Sequence, residues 1–203
     1  VMFGLGGAIV FALVARLQGD DLFTKDAISR PMRWRVLFET IGRLFFILAL
    51  ALAPLSSATV ILQTTPIVVV GGAALFLGES VGWRRWTAIV IGLIGVIVIV
   101  QPWSAEFSPL TILAVIGMLG FAARDLASRA APASLSPAVL GFYGFATIIL
   151  AGVLFYLYDS TPYVMPNGIA LFYMAGAIFA GVIAYASLMN AMRTGEIAAV
   201  APF

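Results

Sequence analysis

The sequence predicts an all-α polytopic membrane protein, a bundle of spanning helices, and three observations carry that prediction. Hydrophobic residues make up 63% of the 203 and charged residues 10%, against about 45–50% and about 25% in soluble domains. A mean hydropathy of +1.10 leaves too little polar surface to cover a soluble globule. Uninterrupted apolar runs such as "WTAIVIGLIGVIVIV", residues 86–100, can satisfy their backbone groups in lipid only as helices. The ten-residue alternation of a membrane β-barrel is missing.

Spans are expected at 1–16, 36–54, 57–78, 86–102, 109–127, 137–157 and 168–191, with another starting near 197. Each complete one is near the length that a tilted helix needs to cross the hydrocarbon core. The first run gives way to the basic stretch that holds Lys25, Arg30, Arg33 and Arg35. The second ends at "APLSS", and the third, with Pro66 at its middle, ends at "GESVGWRR". "QPWSAEFSP" closes the fourth, "ASRAAPASLSP" the fifth and "YDSTPYVMPNG" the sixth, all clusters of Pro, Gly, Ser and charge that break helices. The turn Arg193, Thr194, Gly195, Glu196 closes the seventh.

The cations sort by break. Arg16, Lys25, Arg30, Arg33 and Arg35 fall in or beside the first break, Arg84 and Arg85 in the third, Arg124 and Arg129 around the fifth, and Arg193 in the seventh. The second, fourth and sixth hold none, which places the odd-numbered breaks in the cytoplasm. Only Arg43 falls clearly inside a span. The net charge of +2 gives no reason to expect nucleic acid as a partner. With no cysteine and no histidine, disulfides, thiolate catalysis and the commonest metal ligand are excluded. No metal or cofactor is expected.

Sliding the chain by 142 residues lays "ALALAPLSSATVI" (Ala49 to Ile61) over "AMRTGEIAAVAPF" (Ala191 to Phe203) without a gap, and Val1 to Arg16 over the later part of the sixth span. The match is one of pattern, not of letters. In the first copy the helix runs on through "LQTTPIVVVGGAALFLGE". The second copy is expected to continue likewise, so both ends read as interruptions within spans.

The stretch from Gly42 to Pro102 resembles the EamA-type drug/metabolite transporters. It has a short turn rich in proline and small residues, a helix with a central proline (Pro66), a "LGE" ending (Leu77, Gly78, Glu79) and a helix with Gly92 and Gly95. "GFAARDLASRAAPASLSPAVLGFYG", Gly120 to Gly144, is similar to that family's entry into its second repeat. The resemblance implies ten helices in two inverted five-helix repeats around a central cavity. In that frame the chain runs from late helix 2 to early helix 9, with 1–104 in the first repeat and 105–203 in the second. The implied protein is a multi-pass carrier of the plasma membrane, in bacteria the inner membrane, with its site at the repeat interface near mid-membrane.

Polar side chains within spans are costly and mark candidate sites. Arg43 lies about 12 Å beyond Arg35 at helical rise, with Glu39 one turn nearer the cytoplasm on the same face. The pair is either a clamp for an anionic substrate group, with Glu39 released to take a proton when the ligand competes, or a structural ion bridge. A proton is therefore a candidate coupling ion. Gln63, Thr64 and Thr65 precede Pro66, which frees the carbonyl of Leu62; irregular backbone at membrane depth needs a cavity or protein beside it, and this favours Gln63 as a lining residue. Arg124 and Asp125 read first as interfacial anchors, then as an inner gate or substrate contacts. Adjacent residues point about 100° apart, so they need not pair. Tyr143, with Phe142, is a lining or packing aromatic. Asn190, a turn and a half beyond Tyr185, is a contact or interhelical glue.

An embedded enzyme would need clustered acids or a metal motif, and the nine carboxylates are scattered apart from Asp20–Asp21 in a loop. "GLGG" near Gly4 lacks the lysine and spacing of a phosphate loop. A channel or membrane scaffold remains an alternative class. The expectation is a secondary carrier, not an enzyme, moving a small organic solute by alternating access, with export read first. Its alternative is an uptake carrier or exchanger for a nucleotide- or cofactor-like metabolite. Substrate, flux direction and oligomeric state are not legible.

Overall fold

A computed structural model describes residues 1–79, 82–104, 108–159 and 165–194. All regular structure in those residues is helical: α1 (Met2–Gln18), a 3₁₀ turn (Lys25–Ile28), α2 (Arg30–Leu52), α3 (Leu55–Leu62), α4 (Thr65–Phe76), α5 (Trp83–Val100), α6 (Thr111–Arg129), α7 (Pro137–Asp159) and α8 (Gly168–Thr194). The first seven spans expected from hydropathy fall on these helices. The eighth, starting near 197, lies outside the described residues. Leu55–Phe76, Thr111–Arg129, Pro137–Tyr158 and Gly168–Arg193 are each long and apolar enough to cross a membrane. This is a polytopic helical membrane bundle.

Local chemistry sets the helix ends. Gly19 adopts φ 78° after α1, and the amides of Gly19 and Asp20 return to the carbonyls of Arg16 and Ala15, the left-handed stop that glycine permits without strain. Pro31 sits in the first turn of α2, where its missing N–H costs nothing. Pro66 plays that part for α4, so the third expected span is two collinear segments, α3 and α4, interrupted at Gln63–Thr64. The Leu62 carbonyl that Pro66 cannot reach accepts from Thr65 Oγ1, and Thr64 Oγ1 donates to Ile61 O beside the Thr64 amide, both hydroxyl bonds at 2.5 Å.

Packing rests on small residues. α2 lies along α6 with Gly42 against Gly117 and Gly120, backbone against backbone. α1 lies along α7, where the ring of Phe11 covers Gly141 and that of Phe145 covers Gly7. Such contacts let helices approach where no hydrophobic drive between them exists in lipid. One buried cluster joins α1, α2, α7 and α8 through Phe11, Met32, Leu140, Phe145 and Met189. A second joins α2, α3 and α6, and a third ties α4, α6 and α8 through Val69, Ala122 and Met192. α5 stands outside, against α3 and α4. The result leaves α2, α4, α6 and α8 facing a common centre.

At the arginine-rich end, Arg193 donates to the carbonyls of Ala131, Pro132 and Leu135, and Arg129 to that of Met192. Glu79 meets Arg129 at 3.8 Å, joining the end of α4 to the end of α6 as an anchor. Trp83 and Trp103, at the two ends of α5, are well exposed, as an interfacial belt requires.

Candidate functional site

The centre is a buried ion cluster built around Glu39. On α2, Arg35, Glu39 and Arg43 are one turn apart and share a face. Glu39 is fully buried and meets Arg43 Nη2 at 2.9 Å, Arg124 Nη1 at 3.4 Å and Arg35 Nη2 at 3.5 Å. The hydroxyl of Tyr185 on α8 lies 3.0 and 3.1 Å from its two carboxylate oxygens and donates to them. That same hydroxyl accepts from Arg35 Nη2 at 2.8 Å, giving a relay Arg35→Tyr185→Glu39. Arg35 also donates to Ser128 Oγ and to the carbonyl of Leu140, both at 2.9 Å. One guanidinium therefore joins four helices.

Arg124 pairs with Asp125 at 2.7 Å, a contact that neighbours on a helix need not make. Arg124 folds back towards Asp125 because Glu39 on α2 and the rings of Phe121 and Tyr185, 5.4 and 6.0 Å from its guanidinium carbon, occupy its other sides. Among the described residues, three arginines face two carboxylates, so the cluster carries one cation in excess. Isolated charges at such depth are costly unless paired, and the surplus falls on Arg43, the most accessible member with 21% of its side chain exposed. Its Nε is buried with no hydrogen-bond partner among the described residues.

Beside the cluster lies a cavity of about 470 Å³ between α2, α3, α4, α6 and α8. Its charged edge is Arg43, Arg124 and Asp125; its aromatic wall is Phe46, Phe121 and Tyr185; Leu62, Thr65, Pro66, Val69, Leu188 and Met192 complete it. The size suits a small organic molecule. The chemistry on offer is charge pairing, ring stacking and hydrogen bonding. Among the described residues, no group of three or more His, Cys, Asp and Glu side chains could hold a metal.

The EamA-like transporter family model matches residues 1–101. A riboflavin transporter of Rhizobium johnstonii is 30% identical over 171 residues, 83% of this chain and 55% of the relative. An S-adenosylmethionine uptake transporter of Rickettsia felis is 28% identical over 181 residues, 86% of this chain and 59% of the relative. The chain belongs to the EamA family. A riboflavin transporter of Vibrio cholerae, 29% identical over 171 residues, covers 83% of this chain and 56% of its own. The chain thus spans rather more than half the length of these curated relatives. No solved structure matches it at a significant level.

Within this EamA-type bundle, the residues singled out by sequence separate into two sets. Glu39, Arg43, Arg124 and Asp125 come together; three of them line the cavity, and Glu39 lies behind them. The other four stand apart from its lining. Gln63 is exposed, because the break at Pro66 turns Leu62, Thr65 and Pro66 to the cavity instead. Thr64 is buried with its hydroxyl bound to Ile61 O. Tyr143 donates to the carbonyl of Leu22 at 3.0 Å, tying α7 to the loop after α1. Asn190 is exposed on α8.

Two members of the cluster were not among the candidates. The sequence puts Arg35 in or beside the first break; α2 begins at Arg30, and the i,i+4 relation to Glu39 turns Arg35 inward, where it is fully buried. Tyr185 was noted only as a neighbour of Asn190. A signal for it existed: the 142-residue shift carries Arg43 onto Tyr185, and both face Glu39.

Proposed function

We propose that the protein is a secondary carrier that takes up a small heteroaromatic, cofactor-like metabolite, with Arg43 and Arg124 holding its electron-rich or anionic edge and Phe46, Phe121 and Tyr185 its ring. The observation that carries this reading is the cavity itself, which sets an aromatic wall beside a cluster with one uncompensated cation. The relatives named for riboflavin and for S-adenosylmethionine uptake support it. Both compounds join a flat nitrogen heterocycle to a polar chain. Those names favour uptake over export, the direction read first from the sequence. A division near 104, with a second, inverted unit beyond it, is part of this reading; the family match over residues 1–101 supports the first boundary. The bacterial relatives make the inner membrane the expected location.

In this mechanism the substrate's edge competes with Glu39 for Arg43. Release of Glu39 loosens the contacts among α2, α6 and α8, and the two units rock about the site. A proton taken by the released carboxylate is the candidate coupling ion.

The test is equilibrium binding of riboflavin and of S-adenosylmethionine to the detergent-purified chain. Arg43→Gln is expected to weaken the better ligand about 10- to 100-fold, the value of one charge-assisted hydrogen bond in a desolvated site. Unchanged affinity in that variant rules out Arg43 as the clamp, and failure of both probes to bind rules out the cofactor-like class.

A further inference from the structure

The face of α2 opposite the ion cluster carries a different pattern. At about 100° per residue, Arg30, Arg33, Trp34, Leu37 and Ile41 form one stripe, roughly half a turn away from Arg35, Glu39 and Arg43. Arg30, Arg33, Trp34 and Leu37 line a recess at the start of the helix. The two arginines are exposed, and neither makes an ion pair among the described residues. Trp34 stacks on Phe38, ring centroids 5.4 Å and planes 19° apart. Phe38 and Ile41 then form one wall of a groove of about 590 Å³ whose other walls come from α4, α5 and α6. Among the described residues, no charged side chain and no hydroxyl lines it. Gly71 leaves its α4 wall open, since among the described residues nothing lies within 4 Å of a Cβ built there.

We propose that this stripe and groove seat one anionic phospholipid of the leaflet that borders the start of α2, its phosphate held by Arg30 and Arg33 and one acyl chain led past Trp34 and Phe38 into the groove. The groove lies among membrane-spanning helices, and among the described residues its lining offers a polar solute no side-chain donor or acceptor beyond the indole N–H of Trp86, so its occupant is a hydrocarbon chain. The unpaired arginines, three residues apart and so on adjacent turns, select the head group. A zwitterionic lipid presents them with no net charge, and a basic recess between spanning helices is the arrangement that anionic head groups favour. The site bears on the cavity through α4. Thr65, Pro66 and Val69 line the cavity, while Ile67, Val68 and Gly71 line the groove. A chain in the groove braces α4 from behind.

Native mass spectrometry of the delipidated chain, offered equal amounts of phosphatidylglycerol and phosphatidylcholine, tests this. One retained phosphatidylglycerol is expected, preferred about fivefold per arginine. Arg30→Gln with Arg33→Gln removes the preference. Gly71→Leu puts a side chain into the groove from a position where, among the described residues, nothing lies within 4 Å of the added Cβ; it lowers retention of both lipids at an unchanged melting temperature. Equal retention of the two lipids by the unaltered chain overturns the proposal. So does retention indifferent to these substitutions, or a lipid-free dimer, which would mean that a second copy covers the groove.

Discussion

Glu39→Gln is expected to destabilise the folded bundle more than any other single charge change. The carboxylate meets Arg35, Arg43, Arg124 and Tyr185 from a position with no exposure. Glutamine keeps the shape but removes the charge, leaving three guanidiniums against Asp125 alone. Breaking a buried ion pair from one side costs about 3–5 kcal/mol, equivalent to a fall in melting temperature on the order of 10 °C for a chain of this size. Thermal unfolding in detergent measures it. The double variant Glu39→Gln, Arg35→Gln removes one of the stranded cations and is expected to recover part of the loss, a coupling that a double-mutant cycle reads directly. Glu79→Gln, at a half-exposed pair of 3.8 Å, serves as the reference and is expected within about 1 kcal/mol of the parent. A Glu39→Gln chain that melts with the Glu79→Gln chain would remove the cluster from the centre of the structure's energetics.

The bundle was legible in the sequence because lipid imposes a simple condition. Every backbone group must be satisfied within its own segment, so runs such as 86–100 and 137–157 can be read as helices from length alone. The cluster was half legible for a related reason. Arg43 and Glu39 stand out as charges within an apolar run. Arg35 does not, because it is surrounded by other arginines at the mouth of the helix, and only the 3.6-residue period assigns it to the inner face while Arg33 faces outward. Pairing across helices was not legible at all. Nothing local tells Tyr185, about 150 residues from Arg35, that its hydroxyl will sit between that guanidinium and Glu39. Gln63 illustrates the opposite failure. The proline beside it does break the helix at the cavity, as its chemistry requires, but the break also resets the rotation of the chain, and Thr65 and Pro66 face inward in its place.

Gly120→Ala is expected to act on that pairing from a distance, through backbone alone. A Cβ at residue 120 would lie 2.7 Å from both Cα and N of Gly42 and 3.0 Å from the carbonyl oxygen of Phe38. All three are main-chain atoms, so no side chain can turn aside; α2 and α6 must separate. Overpacking of this kind costs about 1–3 kcal/mol. The separation also reaches the site, since Arg124 stands one turn beyond Gly120 on α6 and Glu39 nearly one turn before Gly42 on α2, and their contact is already 3.4 Å. Gly95→Ala on α5 is the control. Nothing lies within 4 Å of its Cβ, so replacing a helical glycine there is neutral or stabilising by up to about 1 kcal/mol. Melting curves of the two variants should therefore move in opposite directions, or Gly120→Ala alone should fall. If both rise together, the close approach of α2 and α6 is not what holds Arg124 against Glu39. If Gly120→Ala falls in stability while keeping full affinity for the solute, the helix contact and the ion cluster are energetically separate, and the cavity's charged edge must be held in place by α8 through Tyr185.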